Sequence, residues 1–253
     1  MSRLIRTTFL AAAVLMPVAC TVTVGSTPAG EVPAELASVP EMSVKGVQGW
    51  MPGRRVRFGP YAMDELRRGP ADSAVVTQGA AEEWTRRQSF AFSVTDAGSR
   101  AAGVDCDNES WTRVRPGLGG AGVEWLTRSQ RFRSTLDCRI RLADATQPWR
   151  LHLARTGEGG FSGALVGGDS IALHLTGSLP GAAETEGLLV RGVHFAGPDG
   201  IATFAQLDAE GRVRIPAALP EGTRRALAAA VLILFQCNGL PLTVRHETCQ
   251  ASW

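Results

Sequence analysis

The sequence predicts a mainly β protein: an antiparallel β-barrel or meander with a buried apolar α-helix near its C-terminus. Three observations lead to this fold class. Short stretches alternate apolar with polar residues, as half-buried strands do, about once every ten residues. Turn signals built on Gly, Pro and Asp separate these stretches. Near the end, the uninterrupted apolar run 226–235 breaks the pattern. A lipocalin-like barrel and a β-sandwich are the alternative architectures.

The alternation is clearest in residues 136–142, where every second residue is apolar and the others are charged. This period of two places Cys138 on the core face of a strand. Residues 149–153 repeat the pattern with His152 pointing outward, and residues 171–175 repeat it with His174 outward. Shorter runs of the same kind predict further strands at residues 56–58, 90–94, 188–195, 201–207 and 212–215.

Residues 223–235 are predicted to form a helix, because they contain an alanine run and Gly239 follows as a stop signal. Residues 226–235 carry no polar side chain on any face. A helix that is apolar all round lies in a protein core or in a membrane. Ten residues extend only about 15 Å, half of what a bilayer requires. We therefore expect the sheet to enclose this helix.

The combination of strands and helix resembles the tubby-like family, which includes the phospholipid scramblases. The likeness covers roughly residues 46–238. It rests on Phe195-Ala-Gly-Pro-Asp-Gly200, the strands that follow and the apolar helix. The resemblance implies a β-barrel that surrounds a hydrophobic C-terminal helix. It carries over no functional residue, since the chain contains no signature motif of the family.

The first twenty residues have the layout of an export signal. Arg3 and Arg6 precede the apolar run 9–18, which ends in Ala19-Cys20. This ending resembles the lipobox of bacterial lipoproteins. The resemblance implies that residues 1–19 are removed and that an acylated Cys20 anchors the protein in the cell envelope, facing the periplasm or the exterior. A soluble secreted protein that is cleaved nearby is the alternative.

Composition divides the remaining chain into two parts. Residues 20–45 contain no aromatic side chain and many Pro, Ser, Thr and Gly residues. Such a segment buries too little apolar surface to fold, so we predict a flexible tether. Residues 46–253 contain all six tryptophans and have a length that suits one β-rich domain.

Without Cys20, an even number of cysteines remains, which predicts a disulfide framework in an oxidising compartment. Four cysteines allow three connectivities. We favour Cys106–Cys138 with Cys237–Cys249, because these are the short-range pairs. The chain has no CxxC motif and its histidines are scattered singly, so we expect neither a metal nor another cofactor.

The charge balance bears on the partners. The chain has 26 Lys and Arg residues against 24 Asp and Glu residues, and removal of Arg3 and Arg6 makes the mature protein formally neutral. Nucleic-acid binding rests on a basic surface, so nucleic acid is not an expected partner. The expected partners are a membrane, reached through the N-terminal lipid, and an unidentified lipid or protein.

A few residues suggest chemistry. Gly160-Phe-Ser162-Gly-Ala164 approaches the nucleophile elbow of hydrolases but lacks its last Gly, so we interpret it as a hairpin loop. Residues 105–109 gather oxygen ligands suited to Ca²⁺, but we interpret them as a solvated turn beside Cys106. His152 and His174 are interpreted as surface histidines. Arg54, Arg55 and Arg57 are interpreted as an exposed strand edge rather than a lipid head-group site.

Two functions remain after these exclusions. The first is a membrane-anchored lipoprotein of the cell envelope that acts as a non-catalytic binding or structural module. The second is an exported hydrolase built around some of the residues Ser162, His152, His174 and Asp105, which requires them to converge in one pocket.

Overall fold

The computed structural model describes residues 32–48, 51–79, 81–115, 129–156, 161–167, 172–178, 192–197, 200–207 and 211–237. These residues form mainly β structure, with one α-helix, α1, at Glu221–Cys237 and a short 3-10 helix at Ala34–Leu36. The strands, in chain order β1 to β12, are Met42–Gln48, Met51–Phe58, Tyr61–Gln78, Ala81–Asp96, Ser99–Arg115, Ser129–Leu142, Trp149–Thr156, Phe161–Val166, Ala172–Ser178, Gly192–Gly197, Gly200–Gln206 and Arg212–Arg214.

Each strand pairs antiparallel with its neighbours in sequence, so the sheet is a meander. The last strand returns to the first. In this β1–β12 pair, Met42 lies opposite Val213 and Ser43 lies opposite Arg212. This short ladder closes the sheet into a barrel. The predicted fold class is therefore confirmed.

The barrel encloses α1. Every residue from 226 to 233 is completely buried, and Leu234 and Phe235 are almost completely buried. Inward-facing residues of the strands complete the core, among them Phe58, Phe195 and Leu151. Four alanines, at positions 226 and 228–230, keep the helix narrow enough for the sheet to pack around it. The apolar run thus forms the centre of the barrel, as its lack of a polar face predicts.

The N-terminal segment corrects the predicted tether. Strand β1 begins at Met42, four residues before the expected domain boundary, and Leu36 is buried. The guanidinium of Arg214 holds this segment, donating hydrogen bonds to the carbonyl oxygens of Leu36, Ala37 and Val39. It also contacts the carboxylate of Glu41 at 3.1 Å. Residues 32–45 therefore belong to the folded domain, and residues 20–31 lie outside the described part.

Four consecutive strands are much longer than the others. β3 to β6 have 14 to 18 residues each, whereas the other strands have three to eight. From Ala71 to the end of β3, every residue is exposed, so neither face of the strand is covered there. The long strands therefore continue past the packed barrel as a four-stranded sheet. We call this sheet the arm; it consists of residues 71–79, 81–88, 109–115 and 129–135.

Candidate functional site

The interior of the barrel is occupied by protein. Eight-stranded barrels that carry ligands keep a central cavity, and wider barrels leave more room. Here α1 occupies the axis, and its side chains from 226 to 235 are all buried against the sheet. A ligand carried inside the barrel would have to displace this helix. In the described part of the chain, exposed surface lies instead on the outer wall, at the ends of the barrel and on the arm.

The arm carries the most exposed large apolar side chains of the described residues. Val75 is 49 % exposed, Val76 is 52 % exposed and Trp84 is 48 % exposed. Val75 and Trp84 are directly opposite each other on β3 and β4, so they share one face, whereas Val76 is on the other face. Scattered exposed apolar residues are ordinary, but these three lie on one hairpin, two on one face and one on the other.

Ion pairs and one aromatic contact cover the outer face of the arm. Arg87 pairs with Glu109 at 3.2 Å, and Arg113 pairs with Glu83 at 3.4 Å. Further along the same face, the Arg133 guanidinium lies 4.4 Å from the ring centroid of Trp111. The Arg87–Glu109 pair is exposed and therefore contributes only about 0–1 kcal/mol, whereas the Arg113 and Glu83 side chains are half-buried. Both pairs join β4 to β5.

The base of the arm is fixed by covalent and polar contacts. The Cys106–Cys138 disulfide joins directly opposite residues of β5 and β6, as the sequence predicts. Beside the disulfide, the buried Ser134 hydroxyl donates a hydrogen bond to the side-chain oxygen of Asn108, two residues after Cys106. The Arg68 guanidinium donates to the Gln236 side chain at the end of α1. One disulfide and two side-chain hydrogen bonds therefore join the strands and α1 where the arm leaves the barrel.

The opposite end of the barrel holds the start of α1. Arg225 forms ion pairs with Asp96 at 3.2 Å, with Asp144 at 3.0 Å and with Glu221. These contacts connect the first turn of the helix to the turns that follow β4 and β6. Burial of Arg225 works to lower its pKa, but its three carboxylate partners outweigh this effect and raise the pKa.

The same end contains Tyr61, the only tyrosine of the chain, which is buried. Burial raises the pKa of its phenol above 10, and the Asp96 carboxylate adds to this increase. The positive charges of Arg224 and Arg225 partly oppose it. A phenol with a raised pKa stays protonated at neutral pH, so Tyr61 packs here as a neutral side chain beside the Arg225 ion pairs.

The oxygen-rich segment 105–109 is not a turn; that interpretation was wrong. It lies in the middle of β5, where exposed Asp105, Asp107 and Glu109 alternate with buried Cys106 and Asn108. The buried asparagine obscures the alternation in the sequence, because a polar residue occupies a core position. The Asp105 carboxylate is engaged by the Arg141 guanidinium, which makes it an ion-pair partner and not a cation ligand.

The interpretation of residues 160–164 as a hairpin loop was also wrong for residues 161–164, which belong to β8, and Gly160 lies outside the described residues. Ser162 lies in β8, on the exposed outer wall. His152 is on the same wall, and its Nδ1 lies 2.6 Å from the Asp137 carboxylate on the neighbouring strand. His152 and His174 are not on adjacent strands, since Ala164 of β8 lies between them.

The four residues of the hydrolase hypothesis do not meet. Asp105 is on β5 and Ser162 is on β8, three strands away, which corresponds to about 14 Å across the sheet. Ser162 is also displaced along β8 from Val166, the residue in the same row as Asp105. Asp105 is paired with Arg141 instead of a histidine. The outer wall of a barrel is convex, whereas active sites are concave and exclude water. The geometry therefore does not support a hydrolase made of these residues.

Several predicted features fall outside the described part of the chain. They are the lipid attachment at Cys20, the Cys237–Cys249 bridge and the helix stop at Gly239. Arg55 contacts the Asp64 carboxylate at 3.4 Å across β2 and β3, and both side chains are exposed. Within the described ranges, no three His, Cys, Asp or Glu side chains are close enough together to hold a metal ion.

No helix in the described part of the chain has both the length and the apolar character needed to cross a membrane. Comparison with known proteins gave no match to any family model, curated protein or solved structure. The resemblance to tubby-like proteins therefore stays a prediction.

Proposed function

We propose that this chain is a lipid-anchored protein of the bacterial cell envelope and a non-catalytic binding module whose binding surface is the arm. The observation that carries the proposal is the contrast between the two parts of the sheet. Core residues and α1 fill the barrel, whereas the arm exposes Val75, Val76 and Trp84 beyond it. A partner that covers these side chains gains free energy from the removal of apolar surface from water.

The disulfide agrees with an exported protein. Structural disulfides persist in the periplasm and outside the cell and are rare in the cytosol. Cys106 and Cys138 are directly opposite on adjacent strands and are bridged. This compartment is the one that the export signal and the Ala19-Cys20 ending imply.

The two ends of the barrel suit a tethered binding module. Arg214 holds residues 36–41 near the start of α1, because β12 leads directly into that helix. The arm extends from the other end, where Arg68 contacts Gln236 near the end of α1. The twelve residues from Cys20 to Glu31 span at most about 40 Å when extended. In this arrangement the anchored end faces the bilayer and the arm points away from it.

The anchor is tested by the substitution Cys20→Ala. We expect the variant to move from the membrane fraction to the soluble fraction and to lose incorporation of labelled fatty acid, because the acylated thiol is gone. Thr21→Ala is the matched control, since it changes the next residue and leaves the thiol in place. If Cys20→Ala still sediments with membranes in a detergent-sensitive way, the lipid anchor is wrong.

The binding surface is tested by photo-crosslinking in living cells. We expect a photoreactive amino acid at Val76 or Trp84 to form a specific adduct on irradiation, because these side chains contact the partner. Val166 is the matched control, as it is 41 % exposed but lies on the barrel wall. Equal labelling at Val166 and at the arm, or no adduct at the arm, would show that the arm is not the binding surface.

A further inference from the structure

Among the described residues, no strand pairs with one edge of the arm. Along residues 71–78, β3 pairs with β4 in an uninterrupted register, Ala71 with Gln88 through to Gln78 with Ala81. On its other side, β2 pairs with β3 only at Tyr61 and Ala62. Beyond these two residues, no described strand pairs with that side of β3. We call the side of residues 71–78 that faces away from β4 the β3 edge.

The hairpin geometry decides which backbone groups lie on the β3 edge. Gln78 is paired with Ala81, so the turn has two residues and its closing pair exchanges hydrogen bonds. Hydrogen-bonded and non-bonded pairs alternate along an antiparallel ladder. Residues 76 and 74 therefore direct their N–H and C=O groups toward β4. Ser73, Val75 and Thr77 direct theirs to the β3 edge.

This edge lacks the features that normally prevent strand pairing. Exposed edges are usually blunted by charge, proline, bulges or short length. Gly69-Pro70 and the register shifts between Asp64 and Ala71 are confined to the base of β3. Residues 73–78, Ser-Ala-Val-Val-Thr-Gln, carry no charge, proline or glycine. An uncharged stretch of this kind is the type of segment that accepts another strand.

We propose that the β3 edge pairs with the β3 edge of a second copy of this chain. A two-fold axis perpendicular to the sheet places Val75 opposite Val75 of the second copy. On each side of this central pair, Ser73 of one copy lies opposite Thr77 of the other. All of these residues direct their backbone groups to the edge, so about six hydrogen bonds form. The two arms become one continuous antiparallel sheet.

Side-chain chemistry favours a second copy in this register. Val75 and Trp84 are on the same face and opposite each other. Pairing therefore forms one apolar row across the interface: Trp84, Val75, then Val75 and Trp84 of the second copy. Asp72 falls opposite the neutral Gln78, so no like charges face each other. This inference goes beyond the proposed function and does not depend on the lipid anchor.

The test is sedimentation velocity of the purified protein at concentrations from about 1 to about 300 µM, the range expected for a small interface. We expect a reversible monomer–dimer equilibrium. Val75→Pro removes one N–H of the β3 edge and no hydrogen bond to β4, so dimerisation weakens at least tenfold while the fold remains. Val76→Ala is the control, because it removes apolar surface and leaves the β3 edge intact.

A second pair of variants tests the register. Val75→Lys places two like charges opposite each other across the interface, whereas Val76→Lys places its charge opposite Ala74 of the second copy. Only Val75→Lys is therefore expected to weaken dimerisation strongly. A monomer at all concentrations, a dimer unaffected by Val75→Pro, or equal effects of the two lysines would overturn this inference. Adduct masses from photo-crosslinking separate it from the proposed function. An adduct of twice the chain mass supports self-pairing. An adduct of a different mass, with no dimer seen in sedimentation, supports only the proposed function.

Discussion

Placing Asp at any one of positions 228–231 is expected to lower the free energy of unfolding by about 4 kcal/mol or more. These four consecutive helical residues point to all sides of α1, and none of them has exposed surface. An aspartate at any of them buries an unpaired charge or has to take up a proton. Since a domain is stable by only about 5–15 kcal/mol, each variant comes close to unfolding. Urea unfolding followed by circular dichroism measures the loss.

Ala145→Asp is the matched control for this scan. Ala145 is exposed in the turn after β6, so the same substitution there is expected to change stability by less than about 0.5 kcal/mol. A helix on the outside of a barrel would tolerate Asp on one side. Finding one tolerant position among 228–231 would therefore contradict the enclosed helix.

The helix and the half-buried strands could be predicted because burial alone determines their sequence pattern. α1 is enclosed on every side, so its sequence is apolar on every side. Strand β7 has one face in the core, and Trp149, Leu151 and Leu153 alternate with exposed residues. In both elements the number of buried faces can be read from the chain without knowledge of any neighbour.

The arm could not be predicted in this way. Residues 71–79 are exposed on both faces, so their sequence shows no alternation, and only pairing with β4 makes them a strand. The ordered structure of residues 36–41 depends on contacts with Arg214, which is more than 170 residues away in sequence. Both features depend on partners that a local pattern does not contain. The same limit explains why the candidate binding surface was missed.

Replacing Cys106 and Cys138 together by Ala is expected to cost about 3–4 kcal/mol, the loop-entropy value for their sequence separation of 32. The expected effect extends beyond overall stability. The bridge joins β5 to β6 where the arm leaves the barrel. Without it, we expect these two strands to separate in the arm before they separate in the barrel. Urea unfolding measures the first effect, and hydrogen exchange of backbone amides in residues 109–115 and 129–135 measures the second.

Reduction of the unmodified protein provides the control for this prediction. Reduction breaks the bridge without changing a side chain in the core, whereas the double alanine variant also removes two buried sulfur atoms. If cross-linking accounts for the stabilisation, the two proteins unfold at similar urea concentrations, and both exchange arm amides faster than amides near Leu142, at the other end of β6. Unchanged stability after reduction would show that the β5–β6 ladder holds the arm without the bridge. A loss confined to the alanine variant would assign the effect to core packing, because only that variant leaves a cavity between the strands.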